Sequence, residues 1–266
     1  MNSAGLARRS FTALHSFVCT YIAVPFLAVL CLAWSIIALP AYYLLPTRTG
    51  TAFGRRGIQL GFKLYVALLR WMGAYRFDLT DLAELRQESS VILAPNHPHL
   101  IDALILLSCH PDIVCVMKTE LERNVFLGAG ARLARFIGNS PPRRMIKESI
   151  AALKQGSVLL LFPEGTRSVR SPVNRLQLTV ATIAKHARVP VLTALIESDS
   201  PCLGKGWPMY RVPRLPITYR IKLGRRFNPS SDPRQLTAEL EAYFRQELAS
   251  SMQTGWLGGN TADRVG

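Results

Sequence analysis

Residues 91–108 read VILAPNHPHLIDALILLS, which is an apolar run, a polar turn and a second apolar run in direct succession. The first run is short and rich in Val, Ile and Leu, and it predicts a buried strand over residues 91–94. The second run begins at Asp102 and predicts a helix over residues 102–108. A buried strand that turns directly into a helix is typical of an α/β domain with a covered sheet.

The polar turn carries His97 and Asp102, a histidine and a carboxylate five residues apart. A neutral imidazole can take the proton of an alcohol at physiological pH, so it suits the role of a general base. A carboxylate on the other ring nitrogen fixes the tautomer and stabilises the imidazolium that forms. Because a loop that turns into a helix can fold these two residues together, we assign His97 and Asp102 as the candidate catalytic pair.

A second polar turn follows another apolar run, in the stretch LLLFPEGTRS at residues 159–168. Gly165 permits a close approach of the backbone to a ligand, and Arg167 offers a planar donor fork for phosphate or carboxylate. Glu164 can bind an acceptor hydroxyl or pair with Arg167. The alternative is a polar turn that only holds a Glu–Arg pair.

Short apolar runs alternate with helical stretches over the rest of the chain. This pattern predicts an α/β fold, a single mixed sheet flanked by helices, behind an N-terminal hydrophobic helical element. The predicted strands are 75–79, 91–94, 113–117, 158–162, 189–196 and 217–223, and the predicted helices are 102–108, 124–136, 144–154, 176–186 and 233–249. We divide the chain into a membrane element (1–73), a catalytic domain (74–250) and a disordered tail (251–266).

Residues 10–47 contain no Lys, Arg, Asp or Glu. The stretch 17–39 alone can cross a hydrocarbon core, which needs about 20 apolar residues, and it exceeds the roughly 7–15 apolar residues of a signal peptide. We therefore predict a retained membrane element. Two topologies stay open, because Pro25 and Pro40 could divide the run into the two short helices of a re-entrant hairpin instead of a single span.

The net charge of +15 predicts an anionic partner. The first acidic residue is Asp78, and the eight basic residues before it adjoin the apolar run. This arrangement favours phospholipid head groups over nucleic acid, for which no recognised motif is present.

Residues 51–72 predict an amphipathic helix with one basic and one apolar face. Such a helix can lie in a membrane surface with its basic side at the phosphates, or it can pack on the domain as an ordinary amphipathic helix. The basic face carries Arg56, Lys63 and Arg70, and the apolar face carries Leu60, Leu64, Ala67 and Trp71.

Together the two polar turns resemble the motifs of the glycerolipid acyltransferase family, which includes glycerol-3-phosphate and 1-acylglycerol-3-phosphate acyltransferases. That family carries an N-H-x4-D box, a later F-P-E-G-T-R-S box and a proline-bearing strand, and the order and spacing agree over residues 75–225. The three features stand here as Asn96-His97 to Asp102, residues 162–168, and Val189-Pro190-Val191.

The resemblance implies that His97 deprotonates the acceptor hydroxyl, which then attacks an acyl-CoA or acyl-carrier-protein thioester directly. It implies no cofactor, no metal and no covalent acyl-enzyme. Pro190 would shape the acyl or acceptor pocket. The acceptor head group would be bound by Glu164, Gly165, Thr166 and Arg167.

One family box departs from its usual form. Its Arg, which contacts an acceptor phosphate in the family, has Arg143 or Arg144 as a loose counterpart in the stretch FIGNSPPRR at residues 136–144. The expected reaction is acyl transfer to a lysophospholipid, most directly 1-acyl-glycerol-3-phosphate, at a bacterial inner membrane with the catalytic domain on the cytoplasmic side. A non-phosphate acceptor such as a lyso-aminolipid is the first alternative.

Two other readings differ in class. His97, His99 and Asp102 look like a fragment of a Zn or Fe site, which would indicate a metal-dependent hydrolase. An inactive membrane-binding homologue is the other alternative, supported by the variant box.

Overall fold

The protein is built on a mixed sheet, as the sequence predicts. The computed structural model describes residues 3–170, 172–208 and 210–253, and seven strands of that part form one sheet in the order β1-β7-β6-β2-β5-β3-β4. The strands from β6 to β4 run parallel, β7 is antiparallel to β6, and β1 is parallel to β7. They are β1 (Tyr75–Asp78), β2 (Val91–Pro95), β3 (Ile113–Met117), β4 (Ile137–Gly138), β5 (Val158–Leu160), β6 (Val191–Ser198) and β7 (Ile217–Phe227).

Helices cover both faces of the sheet. Because side chains alternate along a strand, Leu93 of β2 joins the core under α1, α2 and α3, whereas its neighbour Ile92 joins the core under α5, α6 and α7. Two 3-10 helices, Thr80–Gln87 and Thr119–Arg123, complete the layers. The α-helices are α1 (Ser3–Leu44), α2 (Thr47–Trp71), α3 (Asp102–Cys109), α4 (Gly128–Leu133), α5 (Pro142–Lys154), α6 (Thr179–Ala187) and α7 (Pro233–Gln253).

The helix predicted over residues 124–136 is shorter than expected. Oδ1 of Asn124 accepts the backbone N–H groups of Phe126 (2.9 Å) and Leu127 (3.1 Å), which forms a local turn. Such side-chain bonds compete with helix formation, so α4 begins only at Gly128 and the prediction was too long at both ends. The two-residue strand β4 escaped prediction because it is too short to show periodicity.

α1 is one continuous helix of 42 residues, so the alternative of two short helices is wrong. Pro25 and Pro40 both lie on its exposed side. Hydrogen bonds on the exposed side of a long helix are its weakest, so the loss of two N–H groups is tolerated there. The other side of α1 packs closely, since a Cβ on Gly57 of α2 would lie 1.9 Å from the Trp34 ring.

The exposed surface of α1 is apolar. Its residues Thr12–Leu44 form a helix long and apolar enough to cross a membrane, and only 22 % of its most apolar window is buried. A core helix of a soluble protein is mostly buried, so this exposure favours membrane association. By length and composition, α1 is the one such helix in the described part of the chain.

α2 packs on the domain through a different face from its apolar stripe. Tyr65, Val66 and Leu69 are buried, whereas Leu60 and Leu64 are exposed. The packed helix thus keeps an uncovered apolar stripe beside its basic one. The predicted tail at 251–266 overlaps the end of α7 up to Gln253, and its remaining residues lie outside the described ones.

Candidate active site

The polar turn after β2 lies at the carboxyl-terminal end of the parallel strands. Asn96 fixes this turn to β6, because its buried side chain donates to the carbonyl oxygen of Ile196 (2.9 Å) and accepts the N–H of Ile196 (2.7 Å). In open α/β sheets, ligands bind outside the carboxyl ends of the strands. The turn is therefore both rigid and placed where substrates are expected.

The structure brings His97 and Asp102 together. Nδ1 of His97 lies 2.8 Å from Oδ2 of Asp102, and the two side chains are 17 % and 0 % exposed. Since the carboxylate accepts the Nδ1 proton, the lone pair of the neutral ring lies on Nε2, which points away from Asp102. The ring of Phe162 stacks on the imidazole at 3.9 Å between centroids. The imidazole is held on two sides, and its basic nitrogen is left for a substrate.

Asp102 has two further donors. The backbone N–H of His99 donates to Oδ2 (2.8 Å), and the hydroxyl of Tyr219 on β7 donates to Oδ1. Burial, and next the neighbouring Asp102 charge, raise the pKa of Tyr219 well above its usual range, so the phenol keeps its proton. Three donors on a fully buried carboxylate offset the cost of desolvating its charge.

Tyr219 was not among the residues predicted for the site. It lies 117 residues after Asp102, between Ile217 and Ile221 at an inward-facing position of β7. Such a position predicts an apolar core residue, and the sequence gives no long-range pairing. The residue type alone could have drawn attention to Tyr219, because a buried Tyr hydroxyl usually has a hydrogen-bond partner.

His99 is buried beside the pair but has a different role. Its Nε2 lies 3.0 Å from the carbonyl oxygen of Ser200, while its Nδ1 has no hydrogen-bond partner among the described residues and lies 3.8 Å from Oδ1 of Asp102. Burial lowers the pKa of His99, although Asp102 acts in the opposite direction. His99 is therefore a neutral wall residue that links the turn to the segment after β6.

Glu164 joins the two polar turns. Its Oε1 accepts the backbone N–H of His97 (2.9 Å) and the hydroxyl of Ser168 (2.5 Å), and its Oε2 accepts the N–H of Asn174 (2.9 Å). The side chain is buried and does not pair with Arg167, contrary to one expectation from the sequence. With both oxygens bound by protein donors, Glu164 positions the His97 backbone instead of facing an acceptor.

The next three residues of this turn differ in exposure. Gly165 has φ +68°, in the left-handed region that favours glycine, and a Cβ there would lie 2.2 Å from Nε2 of Gln177, the far end of an exposed side chain. Thr166 is exposed. One terminal nitrogen of Arg167 donates to the carbonyl oxygens of Leu203 and Gly204, both at 2.9 Å. Arg167 thus also ties the segment after β6 to the site.

The remaining predicted residues lie apart from His97. Arg143 and Arg144 are exposed in the first turn of α5, which follows β4 at the same sheet edge. β4 is three strands from β2, or about 14 Å at the usual strand spacing. Pro190 precedes β6 and lies at the opposite edge, because its carbonyl oxygen accepts the N–H of Ile92 at the start of β2. Its role in a pocket stays a prediction.

The described residues contain no cluster of three or more His, Cys, Asp or Glu side chains that could hold a metal ion. Around His97 the reason is visible in the contacts. The oxygens of Asp102 are bound by His97, His99 and Tyr219, and Nε2 of His99 faces a backbone carbonyl.

Known acyltransferases resemble this chain in sequence and in fold. Residues 76–197, which contain both polar turns, match the family model described as Acyltransferase. The chain is 23 % identical over 219 residues to the 1-acyl-sn-glycerol-3-phosphate acyltransferase of Pseudomonas aeruginosa, covering 79 % of this chain and 83 % of that protein. Its fold is similar to that of PlsC, the 1-acyl-sn-glycerophosphate (LPA) acyltransferase of Thermotoga maritima, with a TM-score of 0.65 at 20 % identity over 91 % of this chain and 97 % of that one.

Proposed function

We propose that this chain is a glycerolipid acyltransferase that moves a fatty acyl group from a thioester to a hydroxyl of a lysophospholipid. The match of residues 76–197 to the Acyltransferase family model and the similarity to a 1-acyl-sn-glycerol-3-phosphate acyltransferase support the proposal. The most direct acceptor is 1-acyl-glycerol-3-phosphate, which would give phosphatidic acid. The observation that carries the proposal is the 2.8 Å contact between His97 and a fully buried Asp102 at the ligand-binding edge of the sheet.

In the proposed reaction, Nε2 of His97 takes the proton of the acceptor hydroxyl as its oxygen attacks the thioester carbonyl carbon. Asp102 stabilises the imidazolium that forms. The carbon–sulfur bond then breaks, and the leaving thiolate takes the proton from His97. This proton transfer restores the neutral imidazole of His97, and the reaction needs no further reactant.

Recognition of the acceptor is assigned to the second polar turn. Gly165 and Thr166 lie at its exposed surface, and the guanidinium of Arg167 lies beside them, although one of its nitrogens already binds two carbonyl oxygens. Arg143 and Arg144 lie farther along the same edge, where they can meet a phosphate of an extended substrate. Acyl-CoA and acyl carrier protein both bring anionic groups, and the net charge of +15 suits either donor.

A non-phosphate acceptor is the second candidate. Arg143 and Arg144 follow β4, whereas His97 follows β2, and these two strands are about 14 Å apart. This distance between the two arginines and His97 favours an acceptor without a phosphate. A lyso-aminolipid would not need a cation close to His97. A membrane location, with the catalytic domain on the cytoplasmic side of a bacterial inner membrane, fits either acceptor and rests on the exposed apolar face of α1.

The test measures acyl transfer from labelled acyl-CoA and from acyl carrier protein to lysophosphatidic acid, glycerol-3-phosphate and lyso-aminolipids. His97→Ala should lower turnover by about 10²–10⁴, the usual contribution of a general base, and leave membrane binding unchanged. A His97-dependent product with lysophosphatidic acid supports the first acceptor, and one only with an aminolipid supports the second. Full activity of His97→Ala would refute the mechanism, and chelator-sensitive hydrolysis would indicate the metal-dependent alternative.

A further inference from the structure

A cavity of about 750 Å³ lies near the amino-terminal end of β2, at the opposite end of the strand from His97. It is open to solvent on one side and is lined by the second half of α2, by β1, by the 3-10 helix Thr80–Gln87 and by the end of α3. That 3-10 helix connects the end of β1 to the start of β2, whereas His97 follows the end of β2. Cys109 in the cavity wall ends the eight-residue α3 that begins at Asp102, so about 12 Å of helix separates the cavity from the catalytic pair.

Three cations from two different elements converge on this cavity. Lys63 and Arg70 come from α2, and Arg86 comes from the 3-10 helix. Burial raises the pKa of the Cys109 thiol in the same wall, whereas its hydrogen bond with Ser108 and the charges of Lys63, Arg86 and Arg70 act against that rise. All three cations therefore line one pocket and face the same part of its wall.

In the described part of the chain, the side chains that line the cavity contribute positive charge only. None of its lining residues carries a carboxylate, and within the described chain none of the three cations forms an ion pair. Arg70 instead lies over the ring of Phe77, 5.5 Å from its centroid. The three side chains are exposed, so water and salt screen part of the repulsion between their charges, and an anion bound among them relieves the rest.

The rest of the wall is apolar and continues onto the outer surface of α2. Val66, Leu79 and Leu82 line the cavity, and Trp71 lines its mouth with 84 % of its surface exposed. The exposed apolar stripe of α2 begins beside Trp71. A free phosphate ion would leave these apolar surfaces in water, whereas an amphiphile would cover them.

We propose that this cavity binds the head group of an anionic phospholipid of the membrane that α1 and α2 contact. The lipid phosphate would lie among Lys63, Arg70 and Arg86, and its glycerol and upper acyl chain would lie against Trp71 and the apolar wall. Basic residues beside an exposed apolar helix face attract anionic lipids. The site is separate from the catalytic pair, so it does not depend on which acceptor the enzyme uses.

The test is flotation of the full-length protein with phosphatidylcholine vesicles that contain or lack phosphatidic acid. In the variant Lys63→Gln/Arg70→Gln/Arg86→Gln, partition onto the anionic vesicles should fall about a hundredfold, since each basic residue near an anionic surface contributes about fivefold. Binding to pure phosphatidylcholine should not change, because the apolar faces of α1 and α2 are intact.

The matched control removes three exposed lysines from α5 and α6, on the other face of the sheet, as Lys147→Gln/Lys154→Gln/Lys185→Gln. An equal loss in the control would show diffuse attraction and overturn the site, as would unchanged binding of the first variant. A competition arm uses inorganic phosphate and dihexanoyl phosphatidic acid at equal phosphate concentration. Displacement by the lipid alone supports the proposal, and equal displacement by inorganic phosphate would identify an anion site that does not recognise lipid.

Discussion

Tyr219 offers the sharpest test of how the proposed catalytic pair, His97 and Asp102, is held. Its hydroxyl donates to Oδ1 of Asp102, while the donors from His97 and His99 both reach Oδ2. The substitution Tyr219→Phe removes one oxygen and keeps the ring, which packs edge-on against Phe77 at 5.9 Å between centroids. The change therefore takes one donor from a fully buried carboxylate and leaves the packing in place.

The expected effects follow from that one lost donor. A hydrogen bond to a charged group contributes roughly 1.5–3 kcal/mol to stability, and the carboxylate cannot replace it with water at 0 % exposure. For a chain of this size the loss lowers Tm by about 3–12 °C. Asp102 keeps two donors, both on Oδ2, and its carboxylate can rotate about that oxygen. The imidazole is then oriented less well, and we expect the activation free energy to rise by about 1–2 kcal/mol. That corresponds to a fall in kcat of about 5–30-fold.

The assay compares kcat and Tm of wild type, Tyr219→Phe and Tyr243→Phe in the same detergent. Tyr243 is the matched control, because its hydroxyl accepts the N–H of Arg225 on the far side of the sheet. It should lose stability by about 1 kcal/mol without loss of kcat. If Tyr219→Phe keeps wild-type kcat, the hydroxyl serves the fold alone; if it is as inactive as His97→Ala, it acts on the reacting atoms. Either result refutes a positioning role.

Three further outcomes follow from the same contacts. In Glu164→Gln an amide N–H₂ must face one of the donors that Glu164 now accepts, so stability should fall by about 1–3 kcal/mol and transfer by about tenfold, checked by thermal melting and the acyl-transfer assay. In Gly165→Ala stability should fall by about 1–2 kcal/mol, because residue 165 has a positive φ. The further substitution Gln177→Ala should recover little of that stability, since the exposed Gln177 side chain can move away by itself. Thermal melting of the single and the double variant tests both expectations. Because the pKa of Tyr219 is raised, the folded protein keeps a proton that the unfolded chain releases near pH 10. The contribution of Tyr219 to the free energy of unfolding is therefore complete below about pH 10 and declines above it by about 1.4 kcal/mol per pH unit. In alkaline unfolding, Tyr219→Phe should lack this part of the decline in stability with pH.

The sequence predicted the fold because its signals are local. The apolar runs that became β2, β3 and β5 have the length and composition of buried strands, and each prediction differs from the structure by only a few residues at its ends. The errors also have local causes. Asn124 caps a turn that delays α4, and the prolines of α1 lie on the side of the helix where they are tolerated.

The site was predictable only where its residues are close in sequence. His97 and Asp102 are five residues apart, and one turn joins them. The contacts of Tyr219 with Asp102 and of Glu164 with His97 span 117 and 67 residues, and they depend on which strands become neighbours. A single sequence shows Glu164 as a polar turn residue, and only the sheet order shows that its carboxylate holds the other turn.

The segment after β6 connects the turn that carries His97 to α1. At one end, the carbonyl oxygen of Leu203 accepts the N–H of Leu100 (3.0 Å) and a nitrogen of Arg167 (2.9 Å). At the other end, the N–H of Leu215 donates to the hydroxyl of Ser16 in α1 (3.2 Å). An enzyme whose acceptor stays in a bilayer needs its base at a fixed height above the lipid surface, because a misplacement of about 1 Å can cost 10²-fold in rate. If α1 lies in a bilayer, as we propose, these bonds would also help to set the position of His97 relative to the lipid surface.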